Sequence, residues 1–480
     1  MQKKLTGLIG CLLVLGVCSV YGQSSTLHYG LQSNLLLSSD NSTLPFWFYS
    51  EQNGRVDRYS NNFLTDFYSV YTKIPSNSRF RYKTGFNLSS RLSDNSSLFF
   101  SQLFGKIGYG FLNLTVGRFY NPIGLSADNL AMGSMMVSRN ATPVPKIEIS
   151  TNGFTNIPYT HGYFQFKAMM AHGWLEKDRY VANTYLHQKY FYLKAQYKFF
   201  EGYGGIVHNV VWGGTSPRYG HLPSSFSDFI RVLTGSAASP NSDAPGGEIS
   251  NAIGNTVAAY DFGMRLTFPG FKIKASRLFY LEDTVESRFR SPWDGTWEAA
   301  LMLDNNKWLS KIIWQFLSTK RQGSLFDAKH DEPYGTDSYY NHFIYKDGWT
   351  YEGMVIGNPL LLNEPNPNFK GQRTITNNII VAQHLGIKGQ LTHRLGYQAL
   401  FTYSRNYGTS SDQYPKQNGE YIPLSDIRVD EFSTYLQTEY LISPENNLRL
   451  TTGVAFDTGQ LYNERFGLQV GIKWVGLRRL

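Results

Sequence analysis

The last residues of the chain alternate apolar and polar without a break. Phe466, Leu468, Val470, Ile472 and Trp474 stand against Gly467, Gln469, Gly471 and Lys473, and the same parity reaches Leu480 through Gly476 and Arg478. Successive side chains of a strand point to opposite faces, so this segment is a ribbon with one apolar and one polar side. Arg478 sits on the apolar row, where its aliphatic stem can reach back to water from an interface. Similar rows run through Phe80, Tyr82, Phe86 and Leu88, and through Leu391, His393, Leu395, Tyr397, Ala399, Phe401 and Tyr403. Others run through Phe432, Thr434, Leu436, Thr438, Tyr440 and Ile442, and through Leu448, Leu450, Val454 and Phe456. A soluble sandwich alternates too, but these rows last about 9–14 residues, against roughly 5–6 for ordinary strands. Such a length crosses a bilayer at a tilt of about 45°.

The N-terminus explains how such a chain would reach an outer membrane. Lys3 and Lys4 precede an apolar run from Leu5 to Val20, and small residues follow up to Gly22. This reads as a secretory signal peptide over residues 1–22. Leu8-Ile9-Gly10-Cys11 resembles a lipobox, but the apolar stretch before Cys11 is too short for one. Both cysteines, Cys11 and Cys18, fall in this segment. The exported part then has no disulfide framework, no thiolate metal ligand and no thiol nucleophile. Beyond residue 22 no window is apolar enough for a transmembrane helix, which leaves a soluble protein or a membrane barrel. Removing Lys3 and Lys4 from the 45 basic residues leaves seven more than the 36 acidic ones. That modest excess leans towards acidic partners; nothing points to nucleic acid.

Turn signals are spaced unevenly. Short turns fall at Pro269-Gly270, Asp304-Asn305-Asn306, Lys388-Gly389 and Ser443 to Asn447, and long loops near 282–296, 319–375 and 405–430. Short periplasmic turns alternating with long extracellular loops are the rhythm of an outer-membrane barrel. Nine strands are expected from residue 258 onward. Nine more segments lie near 27–37, 63–73, 79–92, 97–108, 111–119, 143–150, 160–171, 186–199 and 203–212. The expected fold is therefore all-β, a transmembrane antiparallel barrel of about 18 strands, with 16 as the alternative. The barrel proper is assigned to 63–480, and residues 23–62 to a short periplasmic segment with room for a first strand.

Chemistry-bearing motifs are scarce. There is no Gly-x-Ser-x-Gly elbow, no His-Glu-x-x-His and no phosphate-binding loop. The ten histidines show no metal-ligand spacing. No enzyme, metal or cofactor is expected. Distinctive runs lie elsewhere. Gly133-Ser134-Met135-Met136-Val137-Ser138 leads through Asn140-Ala141 to Pro143 and Pro145, and prolines belong at a strand start or bulge. Trp212-Gly213-Gly214 opens a proline-containing loop, Ala259-Tyr260-Asp261-Phe262-Gly263-Met264-Arg265-Leu266 lies on a strand, and Tyr340-Asn341-His342 leads through Tyr345 to Asp347-Gly348, with Gly357-Asn358-Pro359 after it.

In that order these runs resemble the Wzi capsule-assembly proteins. The resemblance implies an 18-stranded barrel in the outer membrane that acts as a lectin for capsular or exopolysaccharide and catalyses nothing. Relatives carry a helical region on the periplasmic side; residues 23–62 are too short for a full bundle, so any plug is expected to be smaller or built differently. Independently, sugars are held by aromatic faces and planar polar groups, and acidic sugars by Arg and Lys as well. The loop mouths offer Trp212, Arg218, Tyr219, His221, Tyr339, Tyr340, His342, Tyr345 and Trp349 as polysaccharide contacts. Arg79, Arg81, Lys83, Lys194, Lys198, Arg265 and Arg394 are expected to face the lumen, which would suit an acidic polymer. The alternative is that such cations pair with lumen carboxylates and that the aromatics form membrane girdles. Expected partners are surface polysaccharide, outer-membrane lipid and the barrel-insertion machinery, with the barrel a monomer. A porin or small-solute transporter is the rival function.

Overall fold

The computed structural model describes residues 23–40, 43–75, 78–124, 128–282, 289, 291–304, 306, 308–322, 337–366, 373–409, 416–417, 420–421 and 426–480. The expected signal peptide, 1–22, lies outside these residues, as do stretches of the three long loops expected in the second half of the chain.

Eighteen wall strands close on themselves among the described residues. They are β1 Gln23–Ser38, β2 Asn62–Pro75, β3 Phe80–Leu92, β4 Ser97–Tyr109, β5 Leu112–Arg118, β6 Lys146–Thr151 and β7 Phe164–Trp174. Then come β8 Tyr185–Tyr197, β9 Phe200–Trp212, β10 Asn255–Phe268, β11 Phe271–Leu281, β12 Gly295–Leu303 and β13 Lys311–Ser318. The last five are β14 Ile380–Gln390, β15 Leu395–Asn406, β16 Val429–Ser443, β17 Leu448–Gly459 and β18 Arg465–Arg479. Thr155–Asn156 extends β6 along β7 after a short interruption. Each strand pairs antiparallel with its neighbour in sequence, and β18 pairs with β1, Trp474 opposite Leu31 and Gly467 opposite Ser38. Closure removes the two open edges that a sheet in hydrocarbon could not leave unpaired. Nine strands precede residue 213 and nine follow it, as the alternation predicts.

The alternation sorts as expected. Leu31, Leu35 and Leu37 of β1, Phe63 and Phe67 of β2, and Phe466, Leu468, Val470, Ile472 and Trp474 of β18 are exposed on the outside. Asn34, Ser89, Ser101, Asn113, Thr115, Gln188 and Asn209 are buried inside. Both ends of the wall sheet, Gln23 and Arg479, lie at the end carrying the short turns between β2 and β3, β4 and β5, β8 and β9, and β10 and β11.

Two boundaries differ from the sequence reading. The first strand allowed for within 23–62 is part of the wall, which therefore begins at Gln23 and not at 63, because β1 is a full strand holding β2 and β18 together. The segment that follows it, with α1 at Phe46–Tyr49, starts from the long-loop end and turns into the barrel instead of standing apart on the short-turn side. The turn placed at Lys388-Gly389 lies at Leu391–Arg394, so His393 is an exposed turn residue and not part of an apolar row. Gly389 serves packing instead: a Cβ there would come 2.0 Å from the Trp308 carbonyl oxygen.

Candidate functional site: a plugged lumen with two open ends

Three connections from the long-loop end fold into the lumen: the one after β1, the one after β5 and the one after β13. Leu44, Phe46 and Phe48 come from the first, Ile123, Leu130, Met132, Met135 and Met136 from the second, and Tyr339, Tyr340, Ile344, Tyr345 and Trp349 from the third; all are at most 2 % exposed. They join one apolar cluster with wall residues such as Val207, Val257, Ile313 and Ala382. A polar lumen cannot hold such a plug by apolar contact alone, so its wall groups turn inward to bond the plug's backbone. Gln315 Oε1 accepts from the Met132 N–H at 2.8 Å, Asp457 from the Phe46 N–H at 2.8 Å, and His384 Nε2 meets the Leu130 carbonyl at 2.7 Å. Asp66 of β2 pairs with Arg55 at 2.6 Å.

Two of the four runs that carry the family resemblance, the one from Gly133 and the one from Tyr340 to Pro359, are the plug's own joints. Tyr340 donates its hydroxyl to the Met135 carbonyl at 2.6 Å and accepts from the Asn358 N–H at 3.0 Å. Trp349 Nε1 donates to the Met136 carbonyl at 2.8 Å, Asn358 Nδ2 to the Gly133 carbonyl at 2.9 Å, and Ser138 Oγ to the Gly357 carbonyl at 2.7 Å. Arg179, from the β7–β8 connection, clamps the Thr350 and Gly348 carbonyls at 2.7 and 3.1 Å. Asp347 accepts from the Tyr180 N–H at 2.7 Å. These bonds satisfy loop backbone that would otherwise be buried and unpaired.

At the long-loop end a groove of about 650 Å³ is lined by Leu362, Glu364, Thr376, Asn377, Tyr407, Thr409, Leu461, Tyr462 and Arg465. The Arg465 guanidinium lies over the Tyr462 ring at 5.0 Å and 3.6 Å from Asp40. Glu364 takes hydrogen bonds from Arg58 at 3.0 Å and Tyr59 at 3.2 Å. A separate hairpin, Thr215–Ser216 with Gly220–His221, carries Arg218 over the Tyr219 ring at 5.2 Å, and His221 bonds Thr215 at 3.1 Å.

At the short-turn end, beneath the plug, lies a chamber of about 570 Å³. Among the described residues its lining holds six lysines and arginines (Arg55, Arg139, Lys388, Arg394, Arg449 and Lys473) against two glutamates, Glu51 and Glu439. Glu439 pairs with Arg449 and lies 3.9 Å from Lys473, and Glu51 lies 3.5 Å from Arg139. Plug residues of the first two connections, among them Trp47, Ser50, Asn53 and Asn129, line it from above.

The expected contact residues divide sharply. Arg218 and His221 are exposed and Tyr219 is half-buried, together on the hairpin. Tyr339, Tyr340, Tyr345 and Trp349 are sealed in the plug, where they cannot stack on a sugar. Trp212 is buried on the outer wall against Val210, Val232 and Ile253. His342 accepts the Ile344 N–H at 3.2 Å on Nδ1, and burial pushes its pKa down to about 3, so it carries no charge for an acidic sugar at neutral pH. Among the lumen cations, Arg265 and Lys194 share Glu201 at 2.6 and 3.6 Å, which is the structural pairing weighed above, and Arg81 reaches the Asn113 amide oxygen at 3.4 Å. Arg394 lines the chamber. Nothing in the sequence singles out Tyr407, Asn377, Thr376 and Arg465, because the groove assembles them from three separated segments, none with a motif of its own.

The family model of the capsule assembly protein Wzi matches residues 46–360. No curated protein matches the chain. Among solved structures, the Escherichia coli outer-membrane protein Wzi, described as a carbohydrate-binding β-barrel involved in group 1 capsule assembly, is similar over 92% of this chain and 83% of its own, with 13% identity and a TM-score of 0.56. OpdL of Pseudomonas aeruginosa aligns over 95% of this chain and 99% of its own at 9% identity and a TM-score of 0.47. A family match that spans the plug and most of the wall, on a closed antiparallel barrel with an apolar exterior, makes this chain an integral outer-membrane protein belonging to the Wzi capsule-assembly family.

Proposed function

We propose that the protein binds capsular polysaccharide or exopolysaccharide at its long-loop end and retains it at the cell surface without altering it chemically. By the usual sidedness of such barrels that end faces the exterior. The observation that carries this reading is the plug. The lumen is packed with fully buried side chains from three connections, which disfavours an open diffusion pore, while a groove edged by Tyr407, Asn377 and Arg465, each at most 9% exposed, lies above it at the long-loop end. The groove combines tyrosine, amide, hydroxyl and guanidinium groups, the set that hydroxyl-rich polymers engage, and Arg465 and Arg218 would add pairing with acidic sugars. Single contacts would be weak. Repeats along a polymer meeting many barrels would sum to retention by raising the effective concentration. The barrel would act as a monomer, inserted by the cell's barrel-insertion machinery.

The test is deletion of the gene with separate assay of cell-bound and shed polymer, followed by complementation with Tyr407→Ala and Arg465→Ala. The expected result is undiminished total polymer with a larger shed fraction, restored by the wild-type chain and not by the double variant. Unchanged attachment would rule the reading out. Steady conductance of the purified barrel in a planar bilayer would favour the porin reading instead.

A further inference from the structure

Among the described residues, a stretch of the outer wall does not suit lipid. On β7, β8 and β9 the lipid-facing rows run through Met170, Phe191 and Ile206, all exposed, and then become polar towards the long-loop end: His172, His187, Lys189 and His208. Their inward neighbours confirm the parity, since Gln188 and Asn209 bond each other inside at 3.2 Å. Trp174, again exposed and outward, lies two residues beyond His172. The polar stripe is therefore bracketed by apolar residues on both sides, within the height of the membrane band or its aromatic border. Bare histidine and lysine at that height would be costly.

The connection after β9 covers the stripe. It lays α2, Phe226–Thr234, over the outside of the wall, and α3, Gly246–Ser250, follows at the rim, where Gly247 comes against the Phe343 ring. Phe229 packs edge-on against His172 and His187, with centroids 5.9 and 5.4 Å apart, and lies 6.0 Å from Trp212. Val232 joins Val210, Trp212 and Ile253 in a small buried cluster. Lys189 Nζ meets His208 Nδ1 at 2.8 Å and donates to the Val232 carbonyl at 3.4 Å. The helix is well specified: Ser225 and Asp228 form a reciprocal capping box, and Gly235 ends it with φ +68°. Its far side is apolar as well. Phe226 is 79% exposed and Ile230 42%, one turn apart on one stripe.

We propose that α2 is an interfacial helix seated in the outer leaflet, with Phe226 and Ile230 among lipid acyl chains and Phe229 and Val232 against the wall. The occupant is lipid because the exposed stripe continues the barrel's own lipid-facing band of Met170, Phe191 and Ile206, and because the helix lies over the part of the wall that must be shielded from hydrocarbon. The connection after β9 thus acts as a collar that fixes the depth of the barrel and anchors the long-loop end, rather than as a free loop in water.

The only cysteines are Cys11 and Cys18, so a chain with both replaced by alanine can carry a single reporter. Phe226→Cys, Ile230→Cys and, as the aqueous reference, the exposed Asn241→Cys are labelled with an environment-sensitive nitrobenzoxadiazole dye in phosphatidylcholine vesicles. Barrel folding is confirmed for each by its heat-modifiable migration. At 226 and 230 the emission should be blue-shifted, quenched by acyl-chain doxyl lipid and protected from iodide, with the reverse at 241. Iodide quenching at 226 and 230 equal to that at 241 would overturn the proposal, and so would insensitivity to both quenchers, which would mean a protein surface covers the helix.

Discussion

The indole nitrogen of Trp349 donates to the carbonyl oxygen of Met136 at 2.8 Å, joining two connections that lie more than two hundred residues apart in sequence. Both residues are completely buried. Their bond, with that of Tyr340 to the neighbouring Met135 at 2.6 Å, is what makes a plug out of separate loops.

Trp349→Ala should therefore leave the barrel folded but hollow its centre. Loss of a fully buried tryptophan costs about 3–5 kcal/mol, and the freed Met136 carbonyl adds to it. The expected readouts are a lower unfolding temperature and transient conductance steps in planar bilayers. A closed, equally stable variant would mean that the plug does not depend on this joint.

Asp66 holds the plug to the wall. It pairs with Arg55 at 2.6 Å and accepts from Ser89 at 2.5 Å. Asp66→Ala leaves a cation inside without its partner, a change that costs about 3–5 kcal/mol for buried pairs. Asp66→Leu combined with Arg55→Met should cost less than Asp66→Ala, because no charge is stranded. Urea unfolding of the two variants in detergent micelles measures the difference.

The collar connection should be pH-dependent. Burial holds Glu248 at a pKa of about 7, with the Asp228 charge adding to the rise and the Gly254 N–H bond opposing it. A raised carboxyl favours the folded connection while protonated. That stability is complete below the ordinary value of 4.5 and is lost as pH rises through about 7. Proteolysis within 213–254 should accelerate between pH 6 and pH 8 in the wild type, at constant protease activity, and Glu248→Gln should remove the dependence.

Two strand glycines should respond oppositely to alanine. At Gly389 a methyl would strike the Trp308 carbonyl at 2.0 Å, whereas at Gly105 nothing lies within 4 Å. Gly389→Ala is expected to destabilise by about 1–3 kcal/mol through overpacking, with Gly105→Ala neutral or slightly stabilising. Thermal melts followed by gel mobility distinguish them.

Much of the wall is legible without coordinates because its physics is local. Each strand must show one face to lipid and one to the lumen, so parity alone places Phe466 to Trp474 outside and Gly467 to Lys473 inside. Lys388-Gly389 reads as a turn because glycine marks both turns and close approaches, and only the position of Trp308 tells which applies. The plug could not be read in this way. Tyr340, Tyr345 and Trp349 have the composition of a sugar-binding loop and the burial of a core, and a linear pattern does not separate the two.

What the sequence determined by itself is the class of solution: a closed antiparallel barrel for the outer membrane, of about eighteen strands with sixteen as the alternative, and a resemblance to one family in four ordered motifs. What only the tertiary structure decided is where the loops go. Their backbone groups have no ladder to satisfy them, so their place depends on partners hundreds of residues away, such as Met136 for Trp349, Leu130 for His384 and Asp457 for Phe46. Those long-range bonds turn three connections inward as a plug, and the packing of Phe229 on His172 and His187 turns a fourth outward over the wall. Of the aromatic residues expected at the mouth, Trp212, Tyr339, Tyr340, Tyr345 and Trp349 went into that packing, Tyr219 stayed on its hairpin, and the groove at the long-loop end was left to Tyr407 and its neighbours.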